Sequence, residues 1–235
     1  MGNSWFQFQQ FRVNQDRCAM KISTDAVLLG GLAEVSNPRR ILDIGTGTGV
    51  IALMLAQRFP QAKVTAIELD EDAAAQALEN FEESQFSDRL ILLQGRFQDF
   101  SVDEKFDLIV SNPPFFPDHL KSPDAKRNKA LHTDELSFEE LINNASAQLS
   151  EEGSFWVILP PRQMKILVDL AEKAGLNLNA TTRVKDQETK PVHREICEFS
   201  FQSMGKKEVE LVLKDADSQY SGSYMRLLTG FLLGF

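Results

Sequence analysis

The chain has 235 residues and a net charge of −9, with 43% hydrophobic and 25% charged residues. These shares are close to globular averages, so we expect a packed core and exclude a largely disordered chain. The longest apolar run, residues 50–56, is far shorter than the about 20 residues that cross a membrane, and the N-terminus lacks the pattern of a secretory signal.

Cysteine usage points to a reducing compartment. The two cysteines, Cys18 and Cys197, form no Cys-x-x-Cys spacing, which predicts a cytoplasmic protein without a thiolate metal site. We therefore expect no metal and no membrane partner.

Strand-like and helix-like patterns alternate from residue 40 onward. Strands are predicted at 40–44, 63–67, 90–93, 106–110 and 153–159, and helices at 50–56, 70–83, 137–149 and 162–174. The runs at 90–93 and 106–110 are mostly apolar and predict buried strands. The tail from 176 to 199, with an extension to 213 left open, predicts paired strands.

Repeated β-α units predict an α/β fold, with a mostly parallel sheet and helices on both faces. The tail adds an antiparallel C-terminal hairpin. We expect residues 1–35 to form an N-terminal cap and residues 36–235 to form one domain. Ligands of such sheets bind beyond the carboxyl ends of the strands.

A loop with three alternate glycines, residues 43–49, joins the first strand to the first helix; its sequence is Asp43-Ile44-Gly45-Thr46-Gly47-Thr48-Gly49. Such a loop turns tightly and lets a ligand approach the helix start. The lysine of a phosphate-binding loop is absent, and Val50 stands where a dinucleotide-binding loop prefers glycine. Asp43 would repel a pyrophosphate, but it can pair with the cationic methionine end of S-adenosylmethionine, directly or through water.

Glu68 ends the second predicted strand. A carboxylate at this place can accept hydrogen bonds from both hydroxyls of an adenosine ribose, a role that NAD-binding folds share. The alternative is that Glu68 only complements the dipole of the acidic helix that follows it.

The sequence Asn112-Pro113-Pro114-Phe115 follows the fourth predicted strand. Its two prolines remove backbone donors and restrict the turn, so the Asn112 side chain and the Pro113 carbonyl can present two acceptors in one direction. An exocyclic amine can donate one N–H to each, while Phe115 stacks on the ring that carries it. This arrangement would turn the nitrogen lone pair toward a methyl donor without a separate base. A plain turn is the alternative.

These motifs resemble class I S-adenosylmethionine-dependent methyltransferases, and Asn-Pro-Pro-Phe is similar to the branch that methylates amines conjugated to a planar system. The resemblance implies a Rossmann-like sheet of seven strands and S-adenosylmethionine as the cofactor. Residues 11–15, 19–30 and 193–199 resemble the bacterial tRNA(Val) adenine-N6 methyltransferase family. That family modifies the adenosine 3′ of the anticodon, which implies tRNA as the partner and N6 of adenosine 37 as the target.

The resemblance also implies roles for individual residues. In related enzymes the segment matching residues 21–25 lies over the methionine end of the cofactor, which implies such a role for Ser23, Thr24 and Asp25. Arg96 stands where the branch often has an acidic residue for the cofactor adenine, so either Asp99 or backbone groups near Phe97 are expected to replace it. The expected cofactor-binding residues are Thr24, Asp43, Gly45, Gly47, Gly49, Glu68, Phe97, Asp99 and Asn112, and the expected catalytic residues are Asn112, Pro113 and Phe115.

Phe115 leaves the identity of the base open, because adenine-specific members commonly have tyrosine there and guanine-N2 enzymes also use phenylalanine. Methylation of guanine-N2 in ribosomal RNA and of glutamine in protein therefore stay as alternatives. An NAD-dependent oxidoreductase is a further alternative, which Asp43 and Val50 disfavour.

The charge distribution bears on an RNA partner. Acidic residues concentrate in 68–104, whereas residues 118–132 are rich in cations. We expect Lys121, Lys126, Arg127 and Lys129, together with Phe115, to bind the substrate, and the cations Arg12, Arg17 and Lys21 to join them if the two segments meet. The alternative is that these cations are only solvated. We expect a monomer.

Overall fold

The computed structural model describes residues 3–114 and 136–235. Its strands are β1 (Trp5–Gln7), β2 (Arg12–Asn14), β3 (Arg40–Ile44), β4 (Lys63–Glu68), β5 (Leu90–Gln94), β6 (Phe106–Ser111), β7 (Leu149–Leu159), β8 (Asn177–Gln187), β9 (Val192–Ser200) and β10 (Lys207–Lys214). Its α-helices are α1 (Thr24–Leu32), α2 (Val50–Arg58), α3 (Glu71–Glu82), α4 (Phe138–Gln148), α5 (Pro161–Lys173) and α6 (Gly222–Leu228).

The predicted α/β architecture is confirmed. In the described part of the chain, eight strands form one sheet in the order β10-β8-β9-β7-β6-β3-β4-β5. The strands from β7 to β5 in this order are parallel, β9 is antiparallel to both β7 and β8, and β10 is parallel to β8. Ligands of such a sheet bind at the carboxyl edge of its parallel strands.

The expected count of seven strands is wrong, because β10 adds an eighth. Its first half is exposed and charged, so its sequence lacks a strong apolar strand pattern. Cross-strand ion pairs join it to β8: Arg183 contacts Glu208, and Lys185 contacts Glu210. Such pairs stabilise an edge strand that buries little apolar surface.

Two hydrophobic clusters fill the two faces of the sheet. Side chains alternate between the faces of a strand, so Ile41 and Val110 pack with α1, α2 and α3, whereas Leu42 and Ile109 pack with α4 and α5. The helices therefore lie on both faces, as predicted.

The prediction of a buried strand is correct for β6 and wrong for β5. Ile91 is 45% exposed and Leu93 is 39% exposed. β5 is the edge strand of the sheet. The described helices of the second cluster, α4 and α5, do not cover it, and the cluster contains no residue of β5. An apolar run alone does not reveal this edge position.

Local signals place the helix ends well. Asp70 caps α3 by accepting a hydrogen bond from Ala73 N–H at 2.8 Å, and Ser137 and Glu140 form a capping box at the start of α4. Gly175 ends α5 with a φ of +80°. β7 begins at 149 rather than 153, with an irregular register opposite the start of β6.

The N-terminal residues pack on the sheet domain. Phe8 and Phe11 join the first hydrophobic cluster. α1 runs alongside α2 in the same direction: Gly30 lies against Met54, and Arg58 donates hydrogen bonds to the carbonyls of Gly30 and Ala33. Both helices therefore begin at the same edge of the sheet. The division into a cap and a domain stays a prediction.

Among the helices of the described residues, none has the length and apolarity that a membrane span requires. The same residues contain no group of three or more His, Cys, Asp or Glu placed to hold a metal ion.

Candidate active site

Three strand ends meet at the carboxyl edge of the sheet. Ile44, the last residue of β3, is in register with Ile67 of β4 on one side and Ser111 of β6 on the other. The residues that follow these three are the first glycine of the loop, Glu68 and Asn112. The fold therefore brings together the three motifs that the sequence placed after separate strands.

The glycine loop forms the predicted tight turn. Gly45, Gly47 and Gly49 have φ values of +70°, +56° and +81°, a region that favours glycine. A Cβ at Gly45 or Gly47 would meet no heavy atom within 4 Å, whereas one at Gly49 would lie 2.5 Å from the ring of Phe81. The first two glycines thus border open space, and the third allows α2 and α3 to pack closely.

Asp43 is fully buried below this loop. Its Oδ2 accepts a 2.5 Å hydrogen bond from the Thr46 hydroxyl, and its Oδ1 has no hydrogen-bond partner among the described residues. Burial raises the pKa of Asp43 to about 7, and the charge of Glu68 acts in the same direction. The hydrogen bond from the Thr46 hydroxyl and the nearby backbone N–H of Ala52 both lower this pKa and so oppose the rise. A buried acceptor without a partner suits a cationic ligand.

Glu68 is attached to the glycine loop. Its Oε2 accepts a hydrogen bond from Gly47 N–H at 2.8 Å, and its Oε1 accepts from the N–H groups of Leu69 and Asp70 at 2.9 and 3.0 Å. Because Asp70 is the capping residue of α3, a role limited to the start of that helix does not account for the contact with Gly47. The ribose role of Glu68 stays a prediction.

Asn112 lies beside the glycine loop. The hydroxyl of Ser111 donates a 3.1 Å hydrogen bond to the carbonyl of Ile44, which fixes the end of β6 against β3. Asn112 itself is half-buried, Pro113 is buried and Pro114 is exposed. A half-buried amide at this edge is accessible to a ligand.

Several predicted substrate residues lie outside the described residues: Phe115, Lys121, Lys126, Arg127 and Lys129. Their roles stay predictions. The N-terminal cations have local partners instead: Arg12 lies 4.4 Å from the ring of Trp5, Arg17 pairs with Glu79, and Lys21 donates to the carbonyl of Asn3.

The remaining candidates lie at the start of α1 and in the turn after β5. Ser23 caps α1, and Thr24, its first residue, is exposed. Phe97 begins the 3-10 turn Phe97–Asp99, and its ring is buried in the second cluster. The buried ring leaves the backbone of Phe97 for the expected contact with a cofactor adenine, and that contact stays a prediction. Asp99 is exposed.

Comparison with known proteins identifies the family. Residues 23–175 match the model of the methyltransferase small domain. The chain is 43% identical over 230 residues to the tRNA1(Val) (adenine(37)-N6)-methyltransferase of Pedobacter heparinus, covering 98% of both chains. It is 42% identical to the protein of that name from Pseudoalteromonas translucida, and the match covers 98% of this chain and 99% of that one. The chain belongs to the tRNA1(Val) (adenine(37)-N6)-methyltransferase family. The NAD-dependent oxidoreductase alternative is therefore wrong.

Solved structures agree on the fold of this methyltransferase. A predicted O-methyltransferase from Agrobacterium tumefaciens superposes with a TM-score of 0.70 at 21% identity, over 88% of this chain and 96% of that one. A putative RNA methyltransferase from Pyrococcus horikoshii superposes with a TM-score of 0.52 at 19% identity, over 77% of this chain and 80% of that one.

One residue that contacts the glycine loop was missed by sequence reasoning. Asn80 of α3 is fully buried; it accepts from Asn14 N–H at 2.8 Å and donates to the carbonyls of Asn14 and Thr48 at 2.9 and 2.8 Å. It thereby joins the N-terminal segment to the glycine loop. The available signal was a polar residue between Ala77 and Phe81 on the apolar stripe of the predicted helix.

A second contact also escaped the sequence. The guanidinium Nε of Arg194, in β9, lies 2.6 Å from Oδ2 of Asp25 in the first turn of α1. The two residues belong to separate segments of the family resemblance, and the fold brings these segments into contact.

Proposed function

We propose that this chain transfers a methyl group from S-adenosylmethionine to the N6 amine of adenosine 37 of tRNA1(Val). Three relatives that are 42–43% identical to this chain are named tRNA1(Val) (adenine(37)-N6)-methyltransferase. The observation that carries the proposal is the position of Asn112, directly beside a glycine loop that borders open space.

The residues around the loop fit S-adenosylmethionine. The open space at Gly45 and Gly47 leaves room for a ligand against the backbone. Below it, the buried Oδ1 of Asp43 offers an acceptor for the cationic methionine end, and Glu68 offers a carboxylate for the ribose. Neighbours of the same fold include a glycopeptide N-methyltransferase complexed with S-adenosylmethionine. When bound, the cofactor supplies an electrophilic methyl group on a sulfonium.

The chain's own residues orient the acceptor nitrogen. The side-chain oxygen of Asn112 and the carbonyl of Pro113 each accept one hydrogen bond from the adenine amine, and Phe115 stacks on the base. These contacts turn the lone pair of the amine away from the ring and toward the methyl donor. The proton that the nitrogen releases passes to these acceptors or to water, so no carboxylate or histidine base is required.

The RNA contact belongs to the proposal as well. Lys121, Lys126, Arg127 and Lys129 hold the phosphates of the anticodon loop, and the target base is extruded toward Asn112. The protein acts as a monomer in the bacterial cytoplasm, where its tRNA substrate is found.

The reaction product tests the proposal. An unmodified tRNA1(Val) transcript is incubated with the enzyme and labelled S-adenosylmethionine, then digested to nucleosides. We expect label in N6-methyladenosine, and none with a transcript that carries guanosine at position 37. Label in N2-methylguanosine, label in the position-37 control or the absence of label would contradict the proposal. Protein-glutamine methylation is examined by adding a bacterial protein extract in place of RNA.

A further inference from the structure

We propose that Arg194 is a positioning residue for the cofactor. Through its ion pair with Asp25 it fixes the first turn of α1 at the active-site edge, so that the C-terminal strands help to shape the cofactor site. This inference rests on the proposed function, because it requires that Thr24 and its neighbours border the cofactor.

The strand register places Arg194 at the active-site edge. β9 is antiparallel to β7, and Glu195 is in register with Leu159, the last residue of β7. Arg194 therefore lies one residue beyond the end of a parallel strand, at the same edge as Asn112. It also lies beyond the residues that match the methyltransferase small domain.

The packing of α1 places Asp25 at the same edge. Gly30 contacts Met54 and Ala33 accepts from Arg58, so α1 and α2 run side by side in one direction. The start of α2 follows the glycine loop, and the start of α1 consequently lies on the same side. Asp25 is the second residue of α1 and directly follows Thr24.

The ion pair orients the first turn of α1 more than it stabilises the fold. The side chains of Arg194 and Asp25 are only 22% and 16% exposed. An ion pair that is so little exposed adds little to the stability of the fold, because both charges lose hydration when they are buried. Asp25 is already favoured by the N-terminal end of the helix dipole. What Arg194 adds is a planar donor group that sets the direction of the carboxylate and hence the orientation of the turn.

Binding of S-adenosylhomocysteine, measured by calorimetry, tests the role without turnover. We expect Arg194→Met and Asp25→Asn each to weaken binding roughly tenfold and the double variant to weaken it no further, since the two residues act as one unit. Arg194→Lys should recover part of the affinity. At saturating S-adenosylmethionine, kcat should stay near the wild-type value while KM for the cofactor rises.

The matched control is Arg183→Met. Arg183 is in the neighbouring strand β8 and pairs with Glu208 at 2.8 Å and with Glu195 of β9 at 3.6 Å. Because Arg183 is in register with Glu195, and neighbouring residues of a strand face opposite sides of the sheet, these contacts lie on the other face from Arg194. We expect its affinity for S-adenosylhomocysteine to equal that of the wild type. Arg194→Met and Arg183→Met are also unfolded in urea, so that a loss of stability can be separated from a loss of cofactor binding.

Two results would overturn the inference: unchanged affinity in Arg194→Met and Asp25→Asn, whatever their stability, or affinity losses that add in the double variant. Wild-type protein that fails to bind S-adenosylhomocysteine would instead contradict the proposed function. The two failures are thus distinguishable in one set of titrations.

Discussion

The backbone N–H of Gly47 donates a hydrogen bond of 2.8 Å to Oε2 of Glu68. This contact joins the glycine loop after β3 to the end of β4. The carboxylate of Glu68 thereby holds the loop and, in our proposal, accepts hydrogen bonds from the ribose.

Glu68→Gln should weaken cofactor binding because an amide replaces one of the two charged acceptor oxygens. Hydrogen bonds to charged groups contribute about 1.5–3 kcal/mol, so we expect the Kd for S-adenosylhomocysteine to rise at least about tenfold. Isothermal titration measures the change. Glu71→Gln, an equal change of charge at an exposed residue in the first turn of α3, serves as the control. Equal affinities of the two variants would contradict the assigned role.

Asp43 should make stability depend on pH. Burial raises its pKa to about 7, above the value of about 3.9 in an unfolded chain. Between these values the folded state holds a proton that the unfolded state has released, so the free energy of unfolding falls as pH rises toward 7 and then levels off.

The comparison with Asp43→Asn isolates this effect. From about pH 5.5 to about pH 8, we expect the wild type to lose about 2 kcal/mol of stability relative to the variant. Urea unfolding of both proteins at several pH values measures the difference, and other titrating groups cancel. Parallel curves for the two proteins would show that Asp43 has an ordinary pKa.

Asn80 should couple the N-terminal segment to the cofactor site. Asn80→Ala removes the donor to the buried carbonyl of Thr48 and takes the Asn80 partner from the backbone groups of the half-buried Asn14, so we expect a loss of about 2–3 kcal/mol in stability and weaker binding of S-adenosylhomocysteine. Urea unfolding and calorimetry measure the two effects.

Gln85→Ala provides the control for Asn80. The side-chain amide of Gln85, which follows α3, also contacts the N-terminal segment: it donates to the carbonyl and to the side-chain oxygen of Gln10. Unlike Asn80, Gln85 is exposed. We expect Gln85→Ala to bind S-adenosylhomocysteine as the wild type does. If Asn80→Ala also retains full affinity in the folded protein, its contact with the glycine loop has no part in cofactor binding.

Local patterns predicted the parts of the site that are contiguous in sequence. The strand, glycine loop and helix from 40 to 58 follow one another along the chain, so their order alone places Asp43 beneath the loop. The contacts of Asn80 with Asn14 and of Arg194 with Asp25 join residues 66 and 169 positions apart, and their existence depends on how the helices and strands pack. The exposure of β5 likewise follows from strand order, which its apolar sequence does not contain.

The most direct test of the account is the single-turnover rate of N6-methyladenosine formation on the tRNA1(Val) transcript by Asn112→Ala. At saturating cofactor we expect a rate at least about 100-fold below that of the wild type, because the loss of one preorganised acceptor weakens orientation of the amine. The affinity for S-adenosylhomocysteine should change far less. Asn143→Ala, at an exposed asparagine of α4, should react at the wild-type rate. A wild-type rate in Asn112→Ala would contradict the central claim.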